Sequence, residues 1–181
     1  MTPQESDAEP RWYVMRDLKR PNAKLPAYKM LEEKKIEVFV PKRWKLTVRQ
    51  GRRVREEAPF MHDLLFVHAS RLCLDPIVMR TPTLQYRWLR HAHSEPMTVS
   101  TPEMDRFMHA VGNSDSARYY LPEEITPQMY GRRVRIIGGP LDGYEGCLLT
   151  TRGSRVRRLL VGLSNFLAAG VEVNPEYIQF T

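Results

Sequence analysis

Only two of the 181 residues are cysteine, Cys73 and Cys147, and they share no CxxC spacing. Both stand in apolar surroundings, so buried free thiols are expected, a single disulfide between them being the alternative. Long apolar runs are missing too, and a bilayer span needs about 20 such residues in a row. Met1 to Pro10 is polar and acidic, unlike a signal peptide, and reads as a disordered lead-in. These features together predict a cytoplasmic protein with no membrane partner. Catalytic signatures are equally scarce: there is no P-loop, no HExxH and no GxSxG. His91-Ala92-His93 would place two imidazoles on one strand face, but no Cys, Asp or third His has a matching spacing. No enzyme, cofactor or metal is expected.

What the chain does have is positive charge. Its 28 Lys and Arg outnumber 21 Asp and Glu for a net +7, with a pI near 9.6. That balance favours an acidic partner such as nucleic acid or a nucleoprotein complex. Hydrophobic residues at 42% and charged residues at 27% describe a globular protein, long enough for one ordinary domain or two small ones.

Arg11 to Arg16 (RWYVMR) reads as a first strand. Asn22 offers a cap for a helix carrying Ala27, Met30 and Leu31, with Pro26 in its first turn. Ile36 to Val40 is a second strand, stopped by Pro41. Trp44, Leu46 and Val48 alternate with Lys45, Thr47 and Arg49, and the chain turns at Gln50-Gly51 before Arg52 to Glu57 returns. This is a hairpin with a strongly charged outer face. Met61 to Val67 is the next strand, its Leu64-Leu65-Phe66-Val67 run suited to burial on both faces. A short helix over Ser70 to Met79, weakened by Pro76, precedes a strand at Leu84, Tyr86 and Trp88, with Trp88 assigned to the core. Thr101 caps the best helix, Pro102 fits its first position, and Met104, Phe107, Met108 and Val111 form one face before Gly112-Asn113 ends it. Strands and helices intermixed with hairpins over residues 11–113 indicate an α+β layer structure.

Residues 114–128, with Pro122 and Pro127, read as a linker. Short strands follow over 129–181: Arg132 to Ile137, Gly146 to Thr150, Val156 to Leu163, one near Val171 and one at Tyr177 to Phe180. Such spacing suggests a small closed β-barrel. Leu159, Leu160, Leu163, Phe166 and Leu167 also fit a helical period, so a helix is the competing form of that segment.

Three places carry a family resemblance. Trp12-Tyr13-Val14, a helix, then Ile36-Glu37-Val38-Phe39-Val40-Pro41 looks like the start of a NusG N-terminal domain. Pro59-Phe60-Met61-His62-Asp63-Leu64-Leu65-Phe66-Val67 occupies the position of that family's P-L-F-P-G-Y-V-F-V segment, and Glu95-Pro96-Met97-Thr98-Val99 runs into the capped helix. Gly131 to Ile136, with Gly138-Gly139-Pro140-Leu141-Asp142-Gly143-Tyr144-Glu145-Gly146, is similar to a KOW motif inside an SH3-like barrel. The Met61-His62-Asp63-Leu64 departure looks more like the specialised NusG paralogues that antiterminate capsular or exopolysaccharide operons.

The resemblance implies a monomeric transcription elongation or antitermination factor. Its N-terminal domain would bind the clamp helices of the largest RNA polymerase subunit and favour the closed, elongating state through differential affinity. By position, the polymerase contacts are Trp12, Tyr13, Phe60, Met61 and His62. Lys42, Arg43, Lys45, Arg49, Arg52, Arg53 and Arg55 of the hairpin would meet phosphates of non-template DNA or nascent RNA; the competing reading is a solvated face that blocks edge pairing. In the barrel, Arg152, Arg155, Arg157, Arg158 and Phe166 would meet RNA, a ribosomal protein or a termination factor. A ribosome-associated KOW-type RNA-binding protein is the alternative function.

Overall fold

The elements of the first half follow from β-prone and helix-prone runs separated by turn residues. They are β1 (Arg11–Asp17), α1 (Ala27–Glu33), β2 (Glu37–Phe39), β3 (Lys42–Arg49), β4 (Arg52–Pro59), β5 (Leu65–Ala69), α2 (Arg71–Arg80), β6 (Leu84–Tyr86), β7 (Trp88–Leu89), β8 (Ala92–Pro96) and β9 (Thr98–Val99). The computed structural model describes residues 7–89, 92–150 and 153–181, with residues 92–94 described by backbone alone. The first six residues of the expected lead-in, and the His91-Ala92-His93 imidazoles, lie outside the described residues. The chain forms two compact units, Met1–Thr101 and Pro102–Thr181.

In the first unit an antiparallel sheet runs in the order β2-β5-β1-β6. One edge of β1 pairs β5, with Trp12 opposite His68 and Met15 opposite Leu65. The other edge is shared: Trp12 faces Val99 of β9 and Met15 faces Tyr86 of β6. Two bonds close the gap between those partners, Val14 N–H to the Met97 carbonyl and Arg87 N–H to the Val14 carbonyl, both 2.9 Å. Strand alternation sends Tyr13 and Met15 into a core with Leu65, Val67, Leu84, Ala27, Leu31 and Leu74. Each large apolar side chain buried there contributes about 1.5–3 kcal/mol. Trp12, Val14 and Phe66, on the opposite face, are buried as well.

Several local expectations need correcting. The cap of α1 is not Asn22: the helix begins after Pro26, which has no capping side chain. Buried Asp17 reaches across from β1 instead, accepting the Ala27 N–H at 2.6 Å and the Lys19 N–H at 2.9 Å. A carboxylate at a helix start satisfies an orphan donor and meets the positive end of the helix dipole. Helix α2 contains Pro76 and is capped by Ser70, which accepts from the Cys73 N–H at 3.3 Å. Cys73 is exposed and Cys147 half-buried, both free, so neither is the buried thiol expected. Trp88 is also exposed rather than core; it sits in the separate β7-β8 ribbon, its ring edge-on to Tyr86 at 5.8 Å.

Strands β3 and β4 pair only with each other, from Lys42 opposite Pro59 to Arg49 opposite Arg52. The two turn residues both have positive φ, Gln50 at 51° and Gly51 at 77°. Such a turn matches the twist of a two-residue hairpin, and glycine adopts it without strain.

The second unit contains α3 (Thr101–Gly112), β10 (Arg118–Tyr120), β11 (Tyr130–Ile136), β12 (Glu145–Leu149), β13 (Arg158–Leu163), β14 (Leu167–Glu172) and β15 (Ile178–Phe180). Its antiparallel sheet has the order β10-β14-β13-β12-β11-β15. The last five strands in that order give the first-to-last pairing of a small SH3-like barrel. Leu159, Val161 and Leu163 are buried at every second position, so strand alternation prevails over the helical period in this segment. The stretch read as a linker holds β10, whose Arg118, Tyr119 and Tyr120 pair with Gly170, Ala169 and Ala168. Small partners there leave room for the Tyr rings, a cue invisible in a segment bounded by turn residues. Helix α3, expected with the N-terminal domain, groups with the second unit. Tyr144 donates to the Arg106 carbonyl at 2.8 Å, Arg106 stacks over the Tyr144 ring at 4.9 Å, and Ser164 donates both its N–H and its hydroxyl to Glu103.

Candidate functional site

The first unit presents a turn and a ribbon. Phe60 N–H donates to the Pro41 carbonyl at 2.7 Å, closing the base of the β3-β4 hairpin, and Leu64 N–H reaches the Met61 carbonyl at 3.5 Å. Between those bonds Phe60 and Met61 are half-buried and His62 is exposed. Asp63 fastens the turn to the sheet. Its carboxylate pairs with Arg16 at 3.3 Å and Arg87 at 3.6 Å, and its carbonyl accepts the Asp17 N–H at 3.3 Å.

From this base the ribbon carries seven cations against Glu56 and Glu57, a net of five positive charges in a chain of net +7. The register distributes them over both faces, not one outer face as expected. Lys42, Arg53 and Arg55 share a face with Trp44, Leu46 and Val48, while Arg43, Lys45, Arg49 and Arg52 lie on the other. Some are engaged: Arg49 pairs with Glu56 at 2.9 Å, Arg43 lies over Phe60 at 5.5 Å and Lys42 over Tyr28 at 5.4 Å. Arg55 stacks on Trp44 at 4.5 Å.

Trp44, Leu46 and Val48 were not among the residues the sequence singled out for a site. They are 50%, 71% and 69% exposed. The only available signal was their alternation, which reads equally well as a core-facing row.

Trp12 and Tyr13 are corrected from interface to core. They retain 1% and 2% exposure, because β1 is paired along both edges and buried on both faces. Trp12 stacks on His68 at 5.0 Å, and Tyr13 packs edge-on to Tyr86 at 5.5 Å. Burial and a 2.8 Å hydrogen bond to Asp75 push the Tyr86 hydroxyl far above its ordinary pKa.

In the barrel, Arg155 and Arg157 are exposed, and Phe166 is half-buried in the turn between β13 and β14. Arg158 is corrected from partner contact to structural ion pair. It is 4% exposed and donates to Glu172 at 2.8 Å. Arg152 lies outside the described residues. No group of three or more His, Cys, Asp or Glu able to hold a metal occurs among the described residues. No described helix is long and apolar enough to cross a membrane. The described surface carries a pinned turn, a cationic ribbon and exposed arginines on the barrel.

A family model described as Transcription termination factor nusG matches residues 10–108. The chain belongs to the NusG family. A search of curated proteins finds no match. Membership makes the chain a transcription elongation or termination factor in the general sense. NusG proteins are not enzymes, and they bind RNA polymerase. The matched span takes in β1, the 60–63 turn and the ribbon.

Proposed function

We propose that this NusG protein binds RNA polymerase through the Phe60-Met61-His62 turn, lays its β3-β4 ribbon along nucleic acid, and suppresses pausing or termination at particular operons. The observation that carries the reading is the pinned turn at the base of an exposed ribbon holding most of the chain's net charge. Half-buried apolar side chains beside an exposed polar one suit a partner helix tip, and well-packed anchors of this kind contribute about 2 kcal/mol each. Phosphate contact requires clustered cations and no base-specific geometry. The departure at Met61 to Leu64 supports a specialised paralogue. Where the family segment that this stretch resembles has Gly, Asp63 locks the turn through Arg16 and Arg87, giving this contact surface a fixed shape of its own.

The test is a reconstituted elongation complex assayed for polymerase binding, pausing and terminator read-through. Wild type should bind and shorten pauses. Met61→Asp should cut binding at least about tenfold, the effect of losing one anchor, with an unchanged melting temperature. Wild-type failure to bind polymerase at physiological salt defeats the reading; undiminished binding by Met61→Asp relocates the interface.

A further inference from the structure

On the barrel, strand β11 contains an irregularity whose consequence is a groove. Tyr130 pairs with Leu149 and Arg133 with Cys147, so β11 advances three residues while β12 advances two. The extra residue is a β-bulge at Gly131-Arg132, a device that bends a strand and re-aims a side chain. Glycine is required there because a Cβ on residue 131 would stand 2.8 Å from the Leu148 carbonyl oxygen and 3.0 Å from the Thr150 hydroxyl. The re-aimed Arg132 places its guanidinium 4.0 Å from the centre of the Phe180 ring. Phe180 keeps half its surface in solvent. Arg132, Thr150, Ser154, Val156, Arg157 and Phe180 line a groove of about 340 Å³, in the range of small-ligand clefts. No carboxylate lines it, and neither Arg132 nor Arg157 has an ion-pair partner among the described residues.

We infer that this groove is a binding site for single-stranded nucleic acid, with a base stacked on the Phe180–Arg132 pair and a phosphate held by Arg157. Two unpaired guanidiniums supply the backbone charge contact, and an exposed aromatic under a planar cation supplies a sequence-tolerant stacking platform. Thr150 and Ser154 add hydroxyls that can donate to phosphate or sugar oxygens. An acidic peptide would satisfy the arginines but leave the half-exposed ring without a stacking partner. The site lies apart in sequence from the Phe60 turn and the β3-β4 ribbon, and does not depend on the reading proposed for them.

The test uses the full chain with Arg52, Arg53 and Arg55 changed to Gln, which weakens competition by the ribbon for the probe. Fluorescent oligouridylate and oligothymidylate of about 12 nucleotides, within the site sizes of such grooves, and a polyglutamate peptide of similar length are titrated in. Anisotropy gives affinity and salt slope, and amide chemical shifts give location. Oligonucleotide should move the amides of Gly131, Thr150, Ser154 and Phe180. Phe180→Ala should weaken binding about tenfold, and Arg157→Gln should lower the log–log salt slope by about 0.7, both without a change in melting temperature. Tighter binding of oligouridylate assigns the site to RNA, and equal binding of oligothymidylate assigns it to single strands of either kind. Silent groove amides, unchanged affinity in both variants, or tighter seating of polyglutamate than of either oligonucleotide overturns the proposal. Polymerase association of Phe180→Ala, measured alongside, should equal wild type, so the groove can fail while the polymerase reading stands.

Discussion

Neutralising the ribbon tip measures its role through salt dependence. Arg52, Arg53 and Arg55 are exposed, and none is in an ion pair among the described residues. Arg52 sits opposite Arg49, a like-charge arrangement whose removal does not weaken the strand pair. Glutamine keeps most of each stem, so the packing of Arg55 against Trp44 is partly preserved while three charges are lost. If each arginine neutralises one phosphate, the triple variant lowers the slope of log affinity against log salt by about 2–2.7. Over a fourfold rise in salt, wild type should then lose about 20- to 40-fold more affinity than the variant. Anisotropy with labelled single- and double-stranded DNA between about 50 and 200 mM salt reads this directly. A variant that folds like wild type and keeps the wild-type slope would refute the phosphate-contact argument and leave the ribbon as a solvated edge guard.

Two further predictions concern the first unit. Asp17→Ala removes the only side-chain acceptor at the start of α1 among the described residues; leaving the Ala27 N–H unmet should cost about 1–3 kcal/mol, read as a lower urea midpoint, with Asp17→Asn intermediate. An unchanged midpoint for the alanine variant would show that water replaces the carboxylate. Tyr86 holds its proton far more tightly in the fold than the ordinary value of about 10, so the unfolded chain ionises first. The stability linked to this group is complete below about pH 10 and is lost as pH rises beyond it. Tyr86→Phe should cost about 1 kcal/mol at neutral pH through the lost Asp75 bond and should flatten the alkaline decline. The decline should not vanish, since burial also raises Tyr13 and Tyr28. An equal alkaline decline in wild type and variant would contradict the assignment.

The strands were legible where β-prone runs or alternation met turn chemistry, as in RWYVMR and in the Gln50-Gly51 hairpin. What escaped depended on partners distant in sequence. Asp17 caps a helix ten residues away, so the local candidate Asn22 took its place in the reading. Arg118-Tyr119-Tyr120 is too short to announce a strand and becomes one against the small residues of β14. Arg158 has the same formal charge as Arg157, yet one is buried against Glu172 and the other exposed. Strand parity separates them, and parity is fixed only when register is known.

The ribbon shows why the site was harder to read than the fold. Alternation reports that a strand has two unlike faces; it does not report that anything covers the apolar one. Trp44, Leu46 and Val48 alternate as a core row would, yet β3 and β4 pair only with each other and the row remains in solvent. Across from Leu46 and Val48 stand Arg55 and Arg53. Arginine stems can cover such a row while their heads stay in water. Arg55 therefore both covers the Trp44 ring and supplies charge, and a sequence cannot rank those roles. Salt dependence can: shielding by the stems is nearly indifferent to ionic strength, whereas phosphate contact is not.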